Sequence, residues 1–367
     1  MQHLLEILKI LEGALNLNPG KSAAYAELLA EKLDSDDESS AAARIRRVVA
    51  RSKAKQVEPN GVARLARLPV DTDSRMSLAD EEALTPEDVA VYLEAGAWAV
   101  VEQFLLHLQA ADLLVAEGVG ISPSLLLYGP PGCGKTELGR YIAATVRLPL
   151  LTARTDGLIS SYLGNTAKNL RALFEHAMHR PCVLFLDEFD ALAKLRDDQY
   201  EVGELKRVVV SLLQNIDALG NGTVLVAATN HEHLLDPAVW RRFAYKIQLG
   251  KPPEEVRERL FEHFLGSFAT TRERGLLASI GDGLTGADIK QLCDDAKRAA
   301  IIADKRSMDF DGLALQVIQT AQPDGRSGCT LEERIQRVRA ANPRVFTYRR
   351  LARLFGVSLG KLSKVLK

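Results

Sequence analysis

The chain has 367 residues, a length that accommodates two or three domains. Hydrophobic residues make up 47% of it and charged residues 26%, values that exclude a wholly disordered, collagenous or membrane-embedded protein. The net charge of −1 gives no global field that favours nucleic acid. The four cysteines are far apart and form no CxxC pair, which argues against a zinc site or a disulfide framework and favours a reducing, cytoplasmic compartment.

Residues 1–54 have apolar positions at helical spacing, interrupted by two turn-like stretches, and predict a bundle of about three helices. The first of these helices carries charged residues and no small-residue cleavage site, so it does not resemble a signal peptide. Residues 55–85 have little periodicity and predict a linker. The most apolar later stretch, 101–116, contains ionisable side chains and cannot span a bilayer without burying charge, so no membrane association is expected.

Four apolar runs, separated by helical segments, predict the strands of a parallel sheet covered on both faces. These runs are 125–129, 182–186, 223–228 and 244–249. After residue 253 the pattern is purely helical.

A glycine-rich segment joins the first of these strands to a helical segment and has the form GxxxxGK[ST]. Its residues are Gly129, Pro130, Pro131, Gly132, Cys133, Gly134, Lys135 and Thr136. Glycines let backbone N–H groups converge on phosphates, and the start of the next helix adds its own N–H groups. The segment therefore predicts a phosphate-binding loop, with Lys135 at the β- and γ-phosphates and Thr136 on Mg²⁺. A Gly/Pro-rich surface turn is the alternative interpretation.

Two further strands end in polar residues that suit nucleotide hydrolysis. Asp187 and Glu188 follow an apolar strand about fifty residues beyond the loop. We predict that Asp187 holds Mg²⁺ through water and that Glu188 polarises the attacking water as a general base. Asn230 ends the next strand and is predicted to orient that water. Taken singly, each of these residues would more often be a solvated strand end.

With these motifs in place, residues 95–305 resemble the AAA+ ATPases, specifically the AAA clade proper. GPPGCGKT corresponds to its Walker A motif, FLDEFD to Walker B and AATN to sensor 1. The segments LDPAVWRRFAYKIQLGKPP and GLTGADIKQLCDDAKRAAI are similar to its second region of homology and its lid helix. In this chain the two arginines are adjacent, in the sequence RRF, with no Pro-Gly between them. That form is most similar to the microtubule-severing and ESCRT-disassembling branch.

The resemblance implies an α/β fold: a P-loop three-layer αβα sandwich with a helical lid, flanked by helical modules. The expected organisation is an N-terminal helical bundle at 1–54, a linker at 55–85, the large ATPase subdomain at 86–250, the lid at 251–325 and a basic module at 326–367. ATP and Mg²⁺ are the implied cofactors. Glu137 and Ala287 complete the expected nucleotide contacts, with Ala287 packed near the nucleotide.

The resemblance also implies a homo-oligomer, a hexamer in which arginines from a neighbouring subunit complete each ATP site. Arg241 and Arg242 fall at those positions, and guanidinium groups suit the charge that develops on the γ-phosphoryl oxygens. The resemblance leaves open which of the two is the arginine finger, the arginine that contacts the neighbouring subunit's ATP. The alternative interpretation is that both are ordinary surface arginines.

Residues 160–177 align with the family's first pore loop, which implies that Tyr162 and Leu163 line a central channel and grip an extended polypeptide. Tyr-Leu before a helix is more often part of a core, but the polar residues on either side of this pair favour exposure. A weaker signal for a second pore loop falls near 197–203.

The C-terminal segment has the spacing of a helix-turn-helix, with Ala352, Gly356 and Leu362 among its apolar and turn positions. Residues 330–367 contain ten Lys or Arg and two acidic residues, a basic excess typical of nucleic-acid contact. The alternatives are a helical cap on the lid and a protein-docking module. Since no catalytic motif lies beyond the lid, removal of this segment is expected to leave ATPase activity nearly unchanged.

These observations favour an ATP-hydrolysing ring that threads polypeptide substrates and serves a separate protease or effector, because the chain has no protease signature. The alternative is a DNA-associated AAA+ ATPase that uses its C-terminal segment. Against it, only 43 residues separate Asp187 from Asn230, and a predicted helix at 204–219 leaves no room there for a DNA-contacting hairpin. A third interpretation is a switch in which bound nucleotide only sets the assembly state of the protein. The presence of Glu188 and Asn230, both predicted to act in hydrolysis, argues against it.

Overall fold

A computed structural model of the protein describes residues 3–15, 19–36, 38–55, 68–71, 75–120, 122–159, 163–193, 202–219, 223–321 and 330–366. The chain divides into two compact units. The first comprises Met1–Ala90, Ala99–Tyr128 and Thr136–Gln248. The second comprises Val91–Trp98, Gly129–Lys135 and Leu249–Lys367.

The N-terminal part of the first unit forms three helices, the number that the sequence pattern predicts. They are α1 (Leu4–Leu15), α2 (Pro19–Ser35) and α3 (Ser39–Lys55). Tyr25 and Ala42 are buried between them. Glu6 is buried as well, and its carboxylate accepts a hydrogen bond from the ammonium of Lys32 at 2.6 Å. That pairing compensates the cost of removing the Glu6 charge from water.

A six-stranded sheet forms the centre of the first unit. Its strands are β1 (Ala79–Glu82), β2 (Ser124–Tyr128), β3 (Leu150–Ala153), β4 (Val183–Leu186), β5 (Val224–Thr229) and β6 (Tyr245–Gln248). Their order is β1-β3-β4-β5-β2-β6, with β1 antiparallel and all other pairs parallel. The predicted parallel sheet is therefore present, and its three strands β4, β5 and β2 are neighbours.

The edge strand β1 corrects the predicted linker at 55–85. Residues 79–82 pair with β3 in the register Ala79↔Ala153 to Glu82↔Leu150. Three of the four β1 residues are exposed and acidic, with only Ala79 buried, so the segment lacks the apolar alternation that marks a strand in a sequence. The sheet therefore begins before the predicted boundary at residue 86.

Helices cover both faces of the sheet. Those of the sheet region, in chain order, are α4 (Ala95–Gln109), α5 (Ala111–Ala116), α6 (Lys135–Val146), α7 (Thr155–Leu158), α8 (Leu163–Met178), α9 (Asp190–Ala193), α10 (Val202–Ala218) and α11 (Pro237–Trp240). Short 3-10 helices occur at Pro86–Asp88 and Glu232–Leu234. On one face, Leu184 and Leu186 share a core with apolar residues of α8 and α10. On the other, α6 lies so close that a Cβ at Gly139 would be 2.7 Å from the ring of Phe185. This arrangement is the predicted αβα sandwich.

All described elements of the second unit after β6 are helical. They are α12 (Glu254–Leu265), a 3-10 helix (Gly266–Phe268), α13 (Thr271–Ile280), α14 (Gly286–Ile302), α15 (Phe310–Thr320), α16 (Leu331–Ala341), α17 (Tyr348–Phe355) and α18 (Leu359–Val365). No helix within the described ranges is both long and apolar enough to cross a membrane.

The last three helices share one hydrophobic core with the lid. Ile335, Phe346, Leu351 and Leu362 are each fully buried in the same cluster as residues of α12 to α15. Phe261 of α12 belongs to that cluster too. This packing favours the helical-cap interpretation of the C-terminal segment. Deletion of the segment would also expose apolar core residues of α12 to α15, while the effect of deletion on ATPase activity stays a prediction.

Arg350 is the clearest link between α17 and α15. Its guanidinium donates to the carboxylate of Asp311 at 2.8 Å through Nε and lies 4.9 Å from the ring centroid of Phe310. The turn between α17 and α18 is made by Gly356, whose φ of 63° is left-handed. One of the ten basic residues of this segment is therefore committed to an internal ion pair, and nucleic-acid binding by residues 330–367 stays a prediction.

Candidate functional site

Three glycines give the loop between β2 and α6 its shape. Gly129, Gly132 and Gly134 have φ values of 136°, 74° and 89°, a region that residues with a Cβ atom rarely adopt. Left-handed residues turn consecutive N–H groups towards one concave side, as anion-binding loops require. The GxxxxGK[ST] pattern therefore has the backbone conformation that its predicted function needs.

Neighbouring backbone approaches two of these glycines very closely. A Cβ at Gly129 would lie 2.2 Å from the carbonyl oxygen of Leu249. A Cβ at Gly132 would lie 2.9 Å from Thr285 Oγ1 and 3.0 Å from Ala287 Cβ. The Ala287 N–H also donates a hydrogen bond to the Gly132 carbonyl at 3.1 Å. Ala287 is thus beside the loop, and two segments of the second unit confine the loop's backbone.

Lys135 is buried, with 7% of its surface exposed. Its ammonium donates to the carbonyls of Gly129 and Pro130, both at 2.8 Å. Hydrogen bonds to neutral carbonyls offset only part of the free-energy cost of burying an ammonium group. A negatively charged phosphate is therefore a better partner for the same donor. The adjacent Cys133 is half-buried, and burial raises the pKa of its thiol. That thiol therefore stays protonated and adds no negative charge to the loop.

In the first unit, Thr136 and Asp187 are joined by a hydrogen bond. The Thr136 hydroxyl donates to Asp187 Oδ2 at 2.9 Å, and Asp187 Oδ1 accepts from the Glu188 N–H at 2.9 Å. Hydroxyl and carboxylate oxygens are the ligands that Mg²⁺ prefers, so this pair fits that ion. Glu188 is exposed and has a φ of 49°, which turns the chain sharply after β4.

The end of β5 is tied to the segment that follows β4. The Thr229 hydroxyl donates to Asp190 Oδ1 at 2.7 Å, and the Phe189 N–H donates to the Ala228 carbonyl at 2.8 Å. Asn230 comes directly after Thr229, and its buried Oδ1 has no hydrogen-bond partner among the residues that the structure describes. An unsatisfied acceptor is costly to bury, so a water that donates to this oxygen would be stabilised there.

The two predicted arginines are in different environments. Arg242 Nε and Nη2 each donate to a carboxylate oxygen of Asp217 at 3.0 Å, a bidentate pair that lowers the pKa of that carboxyl. Arg241 is exposed, and its guanidinium has no partner within the described part of the chain. Trp240 packs edge-on against Tyr128 with ring centroids 5.2 Å apart. That contact holds the turn that carries both arginines.

The remaining predicted residues are less informative. Glu137 is exposed and pairs with Arg140 at 3.5 Å, one turn further along α6. Tyr162 lies outside the described residues. Leu163 is the first residue of α8, without a described side chain. Most of the weaker pore-loop segment near 197–203 also falls outside.

Two site residues were missed from the sequence. Asp190 is the last residue of the FLDEFD motif, and its position three residues beyond Asp187 was the available signal. No sequence signal marks Asp217, because its pairing with Arg242 joins residues 25 positions apart.

Comparisons with known proteins agree with this geometry. Residues 125–251 match the family described as "ATPase family associated with various cellular activities (AAA)". An uncharacterized AAA family ATPase, y4kL, from Sinorhizobium fredii is 39% identical over 59% of this chain and 66% of its own length. Proteasome-activating nucleotidase 1 from Haloferax volcanii is 33% identical over 67% of this chain and 63% of its own length. The 26S proteasome subunit RPT4 from Saccharomyces cerevisiae is 33% identical over 57% of this chain and 50% of its own length.

The chain thus spans between half and two thirds of the length of these relatives. Proteasomal ATPases are among them, so the narrower assignment to the severing and ESCRT-disassembling branch stays a prediction. The matched segment begins in β2, contains the glycine loop, Asp187, Asn230 and both arginines, and ends after β6. Residues 125–251 of this chain are an AAA ATPase domain, which hydrolyses ATP and uses Mg²⁺.

Proposed function

We propose that this protein is a ring-forming ATPase that remodels or unfolds other proteins. The observation that carries the proposal is the contrast between Arg241 and Arg242. Arg242 is neutralised by Asp217 within its own subunit, whereas Arg241 is exposed without a partner in the described chain. An arginine that is held at the end of a packed turn and has no partner among the described residues of its own subunit suits an ATP site on a neighbour.

Nucleotide binding is assigned to the loop 129–136 and to Asp187. The backbone N–H groups of the loop and the Lys135 ammonium would hold the phosphates, and Thr136 with Asp187 would hold Mg²⁺. When bound, the metal ion withdraws charge from the phosphoryl oxygens. Gly132 brings Ala287 beside the loop, so the start of α14 would contact the same nucleotide.

Water activation is assigned to Glu188 and Asn230. Glu188 is exposed at a sharp turn and can accept a proton from water as a general base. The unpartnered Oδ1 of Asn230 can accept the other hydrogen of that water and so fix its orientation. The bond between Thr229 and Asp190 holds Asn230 at a constant position relative to the turn after β4.

Arg241 is assigned the role of the finger and Arg242 that of a supporting residue. A finger must reach phosphoryl oxygens, and Arg242 would first have to leave a bidentate carboxylate. The pairing of Arg242 with Asp217 instead fixes the backbone of the turn that contains Arg241. A closed ring of like subunits, with six as the expected number, would give every ATP site one such arginine.

Protein substrates are inferred from the resemblance of Tyr162 and Leu163 to a pore loop and from the names of the relatives, which include a proteasome-activating nucleotidase and a proteasome subunit. A separate protease or effector partner would be consistent with those names. The core that α16 to α18 share with the lid supports a structural role for residues 330–367. It therefore does not favour the DNA-associated alternative.

Replacing Thr229 with valine should lower kcat about three- to tenfold and leave the KM for ATP nearly unchanged. The substitution keeps the shape of the side chain but removes both the bond to Asp190 and the acceptor of the His231 N–H, so Asn230, which lies between Thr229 and His231, would lose its fixed position. Steady-state ATPase assays measure both constants.

Thr223→Val is the matched control at the other end of the strand, where the hydroxyl binds the Ala177 carbonyl at 3.1 Å. It should cost about 1 kcal/mol of stability and leave kcat unchanged. Equal kcat losses in the two variants would remove Asn230 from the water-orienting role.

Arg241→Ala should lower ATP turnover about 10³-fold or more, the usual contribution of an arginine finger, without weakening ATP binding. Arg242→Ala should have the smaller effect. The decisive measurement mixes Arg241→Ala subunits with Glu188→Gln subunits, each inactive alone. A mixed ring contains interfaces with an intact Glu188 and a neighbour's intact Arg241, so partial activity should return. Absence of activity at every mixing ratio would contradict a shared site.

Tyr162→Ala should abolish unfolding of a fluorescent protein that carries an unstructured tail, while basal ATPase activity stays within about twofold of wild type. An aromatic side chain grips an extended chain through its large contact area, and alanine removes that area while every residue assigned to ATP binding and hydrolysis is kept. Tyr348→Ala, at an exposed tyrosine on α17, is the control. Undiminished unfolding by the Tyr162 variant would exclude this residue from substrate contact.

A further inference from the structure

Arg257, on α12, is a buried arginine that none of the motifs explains. Only 4% of its surface is exposed. Its Nε donates to the Ala278 carbonyl at 2.9 Å, and its Nη1 donates to the Pro252 carbonyl at 2.8 Å and to Asp282 Oδ1 at 3.1 Å. A buried guanidinium is costly unless such partners compensate it. This side chain therefore fixes its three acceptors relative to one another.

One of the three acceptors, the Pro252 carbonyl, belongs to the segment that lies against Gly129, the first glycine of the phosphate loop. Pro252 is three residues after Leu249, whose carbonyl oxygen would be 2.2 Å from a Cβ at Gly129. The Arg257 N–H also donates to the Pro253 carbonyl at 2.9 Å, at the start of α12. Arg257 thus holds this segment through both backbone and side chain.

The other two acceptors belong to the segment that leads to the residues lying against Gly132, the second glycine of the loop. Ala278 is in the last turn of α13, and Asp282 is in the turn that leads to Thr285, the N-cap residue of α14. Thr285 Oγ1 would be 2.9 Å from a Cβ at Gly132, and Ala287 donates its N–H to the Gly132 carbonyl.

We propose that Arg257 is a positioning residue for nucleotide binding, which sets the spacing of the two segments that confine the phosphate loop. The segments at Leu249 and at Thr285–Ala287 contact the loop at different glycines, and the Arg257 side chain bonds to Pro252, three residues after Leu249, and to Asp282, three residues before Thr285. With the spacing fixed, the loop N–H groups are already arranged when ATP arrives. Without it, part of the binding free energy would be used to order the loop.

Asp282 allows this role to be separated from a purely structural one. Its side chain is 58% exposed, so truncation leaves no cavity. Asp282→Ala removes the bond to the turn before α14 but leaves Arg257 with the carbonyls of Pro252 and Ala278. Asp282→Asn removes the charge but keeps an oxygen acceptor. The difference between the two variants therefore isolates the hydrogen bond from the charge.

The experiment measures the dissociation constant of a slowly hydrolysed ATP analogue with Mg²⁺ and, in parallel, kcat at saturating ATP. Asp282→Ala should bind the analogue about three- to tenfold more weakly than Asp282→Asn, as expected for one hydrogen bond to a charged group at a partly exposed site. Its kcat should stay within about twofold of wild type, and hydrogen exchange at the Ala287 amide should be faster. The control is Asp295→Ala, a partly exposed aspartate on α14 that pairs with Arg298, and it should bind as wild type does.

Equal binding by Asp282→Ala and Asp282→Asn would overturn the proposal, and so would a loss of kcat with unchanged binding. The proposal rests on the assignment of residues 129–136 as the phosphate loop, which Lys135→Ala tests separately. If Lys135→Ala binds the analogue normally, the loop assignment itself fails. If Lys135→Ala loses binding while the two Asp282 variants agree, only the role of Arg257 fails.

Discussion

The close approach of neighbouring segments to the glycine loop is the constraint on which the nucleotide site depends. Gly129 and Gly132 have left-handed backbone and leave no space for a Cβ atom, because Leu249 lies against one and Thr285 and Ala287 lie against the other. The loop conformation is therefore maintained by the segment that follows β6 and by the N-terminal end of α14. Residues more than one hundred positions away in sequence thus lie directly against the predicted phosphate loop.

The chemistry at the ends of β4 and β5 depends on a different constraint, the parallel pairing of the sheet. Leu186 is paired with Ala227, so Asp187 and Asn230 necessarily emerge at the same edge. The bond between Thr229 and Asp190 then fixes the two strand ends more tightly than the ladder alone. The groups proposed to bind the metal ion and to orient water thus follow paired strands of the sheet, as precise positioning requires.

The sequence was sufficient to predict the features that are encoded locally. The phosphate loop, the strands that end in Asp187 and Asn230, and the helical character after residue 253 could all be read from short patterns, since each depends on adjacent residues. The edge strand β1 could not be predicted, because its acidic residues form a strand only by pairing with β3. β3 itself, only four residues long, was missed as well.

Long-range pairing also explains the other differences. No local pattern distinguishes Arg241 from Arg242, and the proposed assignment of the finger to Arg241 rests on the tertiary contact between Arg242 and Asp217. The helix-turn-helix spacing near the C-terminus predicted two helices and a glycine turn, but not that their apolar faces would complete the core of the lid. The buried role of Arg257 likewise depends on acceptors 21 and 25 residues away.

The most direct test of the central claim is the affinity of a Gly132→Ala variant for ATP. A methyl group there would meet Thr285 and Ala287 and would strain a left-handed residue, so the dissociation constant should rise at least about tenfold with an unchanged circular dichroism spectrum. Gly96→Ala, in open space on α4, is the control and should bind ATP normally. Binding within twofold of wild type by the Gly132 variant would contradict the claim that close packing of the loop determines nucleotide binding.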